Sequence, residues 1–259
     1  MNQQITVTIN DTTETYAHGT PFGEIAAAHQ AEYDAPIALV LENGKMRELH
    51  KALTKDCELG FITQREDSGY KTYTRTAAML LFAAIDRVLG RDAAENAKIA
   101  FTIGHSYYCH FTEGNQPSDE DIKKIGETMT DFVVRDVPIE KTSYPLDEAR
   151  ALFRERGMNE KVKLFKFRRG ATVNIYCLDG YYDYYYGFML PSAGYIKHFN
   201  IVRYEKGLML VLPKRGEPGT LPPFVPKKKL FDTLLASEAW GKTMGICTVG
   251  DLNEAACAG

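Results

Sequence analysis

The segment from Tyr181 to Tyr186 concentrates side chains able to do chemistry, with five tyrosines around Asp183. Alternation along a strand would place Tyr182, Tyr184 and Tyr186 on one face and Tyr181, Asp183 and Tyr185 on the other. Two readings fit. One is a partly buried strand whose phenols reach polar partners at a sheet edge; the other is a platform on which a nucleobase or adenosine stacks. Upstream, Lys161, Lys163, Lys166, Arg168 and Arg169 form a run of positive charge with no acid among them. A solvated strand and turn explains such a run as well as phosphate binding does. Lys227-Lys228-Lys229 repeats the feature more weakly. If both basic stretches fold onto the tyrosine side, they make a charged groove beside stacking rings, suited to single-stranded or loop RNA.

Other reactive types are dispersed. The six histidines contain no HxxxH or HExxH pair. His105 and His110, five apart around Cys109, would face opposite sides of a strand, which is poor ligand geometry, so no metal is expected. A hydrolytic pairing of Asp183 with His198 or His105 requires those side chains to meet in one pocket. Gly241-Lys242-Thr243 matches the end of a phosphate loop, but Ala236 stands where the loop needs glycine, and a helix precedes it. The five cysteines include no CxxC pair, which argues against a disulfide framework or a thiolate zinc site and fits a reducing cytoplasm. No apolar run approaches the ~20 residues that cross a bilayer, so no membrane partner is expected. The net charge of −3 leaves any polyanion site to a local basic face.

At 259 residues with 44% hydrophobic and 25% charged content, the chain should build one or two compact cores. ITVTI alternates, a polar NDTTET stretch follows as in a hairpin, and Thr20-Pro21 reads as the entry to a short helix over Phe22 to His29. IALVLENGKMREL alternates around Asn43-Gly44, a tight-turn dipeptide. This order predicts a small β-grasp module, residues 1–63, ending in the polar stretch Gln64 to Lys71. A second region, 70–259, opens with helical spacing from Tyr73 to Leu89, closed by Gly90. Further helices are expected from Ser118, a cap followed by acids, and over Asp147 to Arg156 before Gly157. KIAFTIG, SYYCHF, VKLFKF, TVNIYCL, YYDYYYGFML and KHFNIVRYEKGLMLVL read as strands of one extensive antiparallel sheet. A Pro- and Gly-rich stretch then leads to a closing helix near Lys229. The fold class is α+β.

Several stretches together resemble a known family. ITVTINDTTETYAHGTPFGEIA with IALVLENGKMREL is similar to the TGS domain that opens threonyl-tRNA synthetases. TRTAAMLL resembles that family's R-H-S-A-A-H-L-L helix motif. YYDYYYGFMLPSAGYIKHFNI resembles its D-L-C-R-G-P-H-L-P-S-T-G-Y-I-K-A-F motif. The resemblance implies an editing-like α+β domain after the TGS module. In the family two histidines from the helix, and a cysteine and a histidine from the later motif, form the editing pocket; the matching positions here are Arg75, Met79, Tyr185 and Met189. None of these can serve as a neutral base near pH 7, so no catalytic residue is assigned and deacylation is expected to be absent. The same arrangement, ending like GICTVGDLNEA, resembles the front of bacterial uridine kinase-like proteins. That resemblance implies a P-loop kinase domain after Gly259, with ATP and Mg expected only there and no cofactor in this chain.

The expectation is a non-catalytic RNA- or nucleotide-binding module with a degenerate editing site. Arg75 and Tyr185 would line the former pocket, and Lys166, Arg168, Arg169 and Lys197 would contact phosphate. The expected partners are tRNA or a uridine nucleotide, and a P-loop kinase domain or subunit. A rewired hydrolase acting on aminoacyl-tRNA or a small ester, and an assembly domain for a P-loop kinase, stand as alternatives.

Overall fold

The computed structural model describes residues 3–111 and 116–258. Met1, Asn2 and Gly259, at the ends of the two expected regions, lie outside the described residues. Strands β1 (Gln4–Ile9) and β2 (Thr12–Ala17) form a hairpin that turns at Asn10 and Asp11, both at positive φ. Helix α1 (Phe22–His29) follows, then β3 (Ile37–Glu42), β4 (Lys45–Glu48) and β5 (Cys57–Thr63). Asn43 and Gly44 take positive φ between β3 and β4, as a two-residue hairpin turn needs. The sheet order is β2-β1-β5-β3-β4 with β1 and β5 parallel, the cross-over arrangement of a β-grasp. Ile5, Val7 and Ile9 alternate inward against Phe22 and Ile25 of α1. Pro21 stays outside α1, and the Thr20 hydroxyl bonds the Ala17 carbonyl at 2.8 Å, so Thr20 does not cap the helix as its position suggests.

Helix α2 (Asp67–Leu89) begins inside the polar stretch expected to be a linker, six residues before the periodic run. It is buried along most of its length because it lies between layers. Ala77, Leu80, Leu81, Ala84 and Ile85 enter the largest core, while its first half also packs on β3 and β5. At roughly 1.5–3 kcal/mol per fully buried large aliphatic side chain, this helix is the main apolar spine of the molecule. The short α3 (Arg91–Asn96) follows Gly90, and then β6 (Ala97–Ile103) and β7 (Ser106–Phe111). Ser118 caps α4 (Asp119–Val134) through a reciprocal box with Asp121. Next come β8 (Ile139–Pro145), α5 (Leu146–Glu155), α6 (Asn159–Lys166), β9 (Thr172–Leu178) and β10 (Tyr181–Asp183). The chain closes with β11 (Asn200–Tyr204), β12 (Gly207–Val211), α7 (Lys228–Thr243) and α8 (Val249–Ala258).

The strands of this second region form two sheets, β10-β9-β8 and β11-β12-β7-β6, where one extensive sheet was expected. VKLFKF is the second correction: it forms the helix α6, because Phe165 buries against Phe153 and Val173 while Lys163 and Lys166 are exposed on its other side. The tyrosine-rich stretch is strand only over Tyr181–Asp183, and the chain turns away afterwards. Each sheet is two-sided. Leu208 and Leu210 of β12 face α2 and α4, whereas Met209 and Val211 face Phe231, which anchors α7. Likewise Tyr176 and Leu178 of β9 face the main core, and Val173 and Ile175 face α5 and α6. Helix α7 buries little besides Phe231, and Trp240, the only tryptophan of the chain, is 66% exposed on it. No helix among the described residues is long and apolar enough to cross a membrane.

Where β5 meets α2 the backbones touch. A Cβ on Gly69 would stand 1.9 Å from the Thr63 carbonyl oxygen. Helix propensity alone gives Gly→Ala a gain of about 1 kcal/mol; the clash reverses the sign. Gly69→Ala should therefore lose roughly 1–3 kcal/mol of unfolding free energy in urea titrations.

Candidate functional site

The site grows from one row of side chains across the three-stranded sheet. Lys141 of β8 pairs in register with Tyr176 of β9, and Tyr176 pairs with Asp183 of β10. Directly opposed residues share a face, so the three line up over α2. The Lys141 Nζ stands 5.3 Å from the centre of the Tyr176 ring. Beyond β10, the loop from Tyr184 to Leu190 is pinned to α2 at two points. The Arg75 guanidinium donates to the Phe188 carbonyl at 2.5 Å, and the Leu190 N–H donates to the Thr76 hydroxyl at 3.0 Å. Gly187, at φ 117°, sits so close that a Cβ there would be 2.8 Å from the guanidinium carbon; glycine is required by both conformation and space.

Into this frame the β-grasp module inserts Glu48, the last residue of β4, only 2% exposed. Its Oε1 accepts from the Tyr176 hydroxyl (2.9 Å) and the Met189 N–H (3.0 Å), and its Oε2 takes the Lys141 ammonium. The His50 Nε2 lies 3.7 Å from Oε2, beyond hydrogen-bond distance, and is buried with no hydrogen bond to any described residue. Burial lowers the pKa of the Arg75 guanidinium, while nearby Tyr176 and Glu48 oppose that shift. Burial, then the Glu48 charge, pushes the Tyr176 phenol well above its ordinary value.

Arg75, Met79, Tyr185 and Met189 are thus brought to one neighbourhood. Met79 and Met189 are fully buried in the main core, with Tyr185 packed against it. The Tyr185 ring lies 6.4 Å from that of Tyr176, and its hydroxyl is buried with no hydrogen-bond partner among the described residues. Burial, then the Asp183 charge, raises its pKa. The neighbourhood is packed protein, and five cavities of about 10 to 710 Å³ are each lined by residues other than these four. Asp183 does not pair with Arg75. It takes the Lys161 ammonium at 2.8 Å and the Tyr184 N–H at 2.6 Å. Asp183 and Lys161 line a cavity of about 670 Å³ together with Cys247 and Thr248. His198 lines a different cavity, of about 710 Å³, and His105 lies in the turn between β6 and β7, so neither meets Asp183.

The expected phosphate-binding residues scatter in their engagement. Lys166 reaches Glu254 of α8 (3.3 Å), and its neighbour Lys163 reaches Asp251 (3.1 Å). Arg168 donates to the Tyr184 hydroxyl at 2.7 Å and lies over that ring. Arg169 and Lys197 are exposed and form no ion pair with any described residue. Lys197 lines two cavities, of about 570 and 710 Å³. The two basic stretches do not join: Lys228 pairs with Glu205 in the turn between β11 and β12 and with Asp232 one turn along α7. The tyrosines mostly pack, Tyr182 under Arg156 (4.2 Å) and Tyr184 edge-on to Phe165 (5.0 Å); Tyr186 alone among them is largely exposed, at 86%. Gly241, Lys242 and Thr243 lie within helix α7, not in a loop after a strand. No cluster of three metal-binding side chains occurs among the described residues.

No family model matches this chain. Among curated proteins, the threonine–tRNA ligase of Thermotoga maritima is 32% identical over 163 residues, 62% of this chain and 25% of the ligase. That of Thermotoga neapolitana is 30% identical over 190 residues, 72% of this chain and 28% of the ligase. That of Acetivibrio thermocellus is 29% identical over 203 residues, 76% and 31% of the two. Its relatives are threonine–tRNA ligases. The chain spans about a quarter to a third of their length, and these matches lend no support to a nucleoside-kinase parent. With them, the α+β architecture is that of a β-grasp module followed by an editing-like domain of the threonyl-tRNA synthetase kind.

Sequence reasoning missed Glu48, Lys141 and Tyr176. The only local hint was that alternation along Lys45–Glu48 puts Glu48 on the face of Met46, opposite Lys45 and Arg47. Breaking a buried ion pair on one side costs about 3–5 kcal/mol. Lys141→Met should lose that order of stability in chemical denaturation, and adding Glu48→Gln should recover part of it.

The packing of α8 on α6 carries its own pH signature. The Asp251 carboxyl is held at about 2, first by the Lys163 ammonium and then by the Thr248 hydroxyl. A depressed carboxyl stabilises docking fully above its ordinary value of about 4, and that contribution fades as pH falls towards 2. Pepsin cleavage within α8, normalised to a reference peptide, should rise across that interval; Asp251→Asn should remove the pH dependence.

Proposed function

We propose that this chain is a non-catalytic RNA-binding module, a TGS-type β-grasp followed by an editing-like domain whose editing positions have been converted to structure, with tRNA as the RNA bound. The observation that carries the reading is that Met79, Tyr185 and Met189 pack into the main core and Arg75 is tied to the Phe188 carbonyl, beside the loop whose Met189 N–H binds Glu48, where a hydrolytic site would need a neutral base and a water. A guanidinium, a buried phenol and two thioethers supply neither. Similarity to threonine–tRNA ligases supports tRNA as the polyanion, and the surface cations Arg169 and Lys197, which no described acid pairs, are the residues to contact its phosphates. Lys166 and Arg168 are set aside as phosphate contacts, since Glu254 and the Tyr184 hydroxyl already engage them. Arg75 and Tyr185 take no part in contact with RNA on this reading. Nucleoside phosphorylation forms no part of it, because the Gly241-Lys242-Thr243 tripeptide is helical.

A hydrolytic reading has one observation in its favour: His50, kept neutral by burial beside Glu48, is a base in the required protonation state. Two measurements separate the readings. Filter binding of tRNA at low ionic strength should show affinity that falls with salt. Arg169→Ala with Lys197→Ala should weaken it and flatten the log–log salt slope by ~0.7–0.9 for each phosphate that is no longer neutralised. Deacylation of mischarged threonine tRNA should stay at the uncatalysed rate. Absence of any salt-dependent binding would sink the RNA assignment, and turnover abolished by His50→Ala would sink the non-catalytic one.

A further inference from the structure

The groups that hydrogen-bond the Glu48 carboxylate come from one module, and the carboxylate, with His50 beside it, comes from the other. Lys141 stands on β8, Tyr176 on β9 and the Met189 N–H on the following loop, whereas Glu48 ends β4 of the β-grasp. The elements that carry the donors are also held by contacts that do not involve Glu48. Lys141 and Tyr176 are opposed in the β8–β9 ladder, the loop carrying Met189 is tied to Thr76 through Leu190, and Arg75 is fixed on the Phe188 carbonyl. The Tyr176 hydroxyl has a second acceptor in the Gly187 carbonyl, at 3.1 Å. The frame of the pocket and its phenol and amide donors are therefore placed without the occupant.

Its geometry matches a carboxylate in particular. One oxygen receives a hydroxyl and a backbone N–H, and the other an ammonium. Charge-assisted donors of this kind are the strong ones, and buried as they are they leave a large penalty if the anion is withdrawn. We propose that the second module contains a preformed carboxylate-binding pocket and that Glu48 is its tethered occupant, so that filling the pocket and docking the β-grasp are one event. Tethering gives Glu48 a high effective concentration, which keeps free carboxylates out of the intact protein. A carboxylate presented at higher effective concentration, on a bound ligand or partner chain, would displace Glu48 and uncouple the modules. The inference stands independently of RNA binding.

The test is chemical rescue in the full-length chain. Glu48→Ala should melt lower than the parent. Formate at tenfold its half-saturating concentration should raise that melting temperature by about 4 °C relative to chloride of equal ionic strength. The parent chain should show no difference between the two salts, and Lys141→Met in the Glu48→Ala background should abolish the rescue. Equal effects of formate and chloride on Glu48→Ala, an equal formate response in the parent, or rescue that survives Lys141→Met each overturn the proposal. If Glu48→Ala is insoluble, refolding it from denaturant decides: formate-dependent recovery of soluble protein supports the pocket, and equal recovery, or none, in both salts overturns it.

Discussion

A carboxylate can be taken out of water only where other groups replace its hydration, and Glu48 marks the place where that condition organises this protein. Its two oxygens are met by an ammonium, a phenol and a backbone amide, all supplied by residues far away in sequence. The β-grasp sheet, the three-stranded sheet and the loop after β10 must be in register simultaneously for those bonds to exist. Helix α2 provides the apolar counterpart, packing on both modules along its length. An apolar spine is forgiving of small slips, whereas a charge held by three donors is not; together they give the two modules one relative placement.

The elements that could be read from sequence were those fixed by nearby residues. Asn43-Gly44 adopts positive φ where a tight hairpin needs it, and Ser118 with Asp121 forms its capping box within a single turn. Alternation in ITVTI sufficed to place Ile5, Val7 and Ile9 inside. Errors arose where tertiary packing decided. KVKLFKF offers Val162 and Leu164 to a strand and Val162 and Phe165 to a helix, and the pocket between Phe153 and Val173 settles it for the helix. The convergence of the loop after β10 on α2 could be read only through the family motifs, because residues 75 and 189 are joined by no local pattern. Glu48 was invisible, since a charged residue at the end of an exposed hairpin strand ordinarily faces solvent.

Electrostatics redraw the surface that the sequence suggested. A run of five cations with no acid among them looks like a phosphate track when written in one line. In three dimensions α6 turns Lys161 to Asp183 and offers Lys163 and Lys166 to the acids of α8, and Arg168 lies on Tyr184. Acids distant in sequence neutralise the run, leaving Arg169 as the end that no described acid pairs. The tyrosine cluster undergoes the same reversal: it serves chiefly as a wall between α6 and the main core, with one ring left outside.

The placement of Trp240 has a consequence for how this molecule can be watched. The only indole of the chain stands largely in water on α7, far in sequence from β4 and from the loop that grips it. Its emission would change little when the cores come apart, and would instead register events on the α7 surface. Loss of the interior would have to be followed through the buried tyrosines, whose near-ultraviolet circular dichroism reports the asymmetric packing around Tyr73, Tyr108 and Tyr176. The two optical signals therefore divide the protein between them, one blind to its centre and the other to its rim.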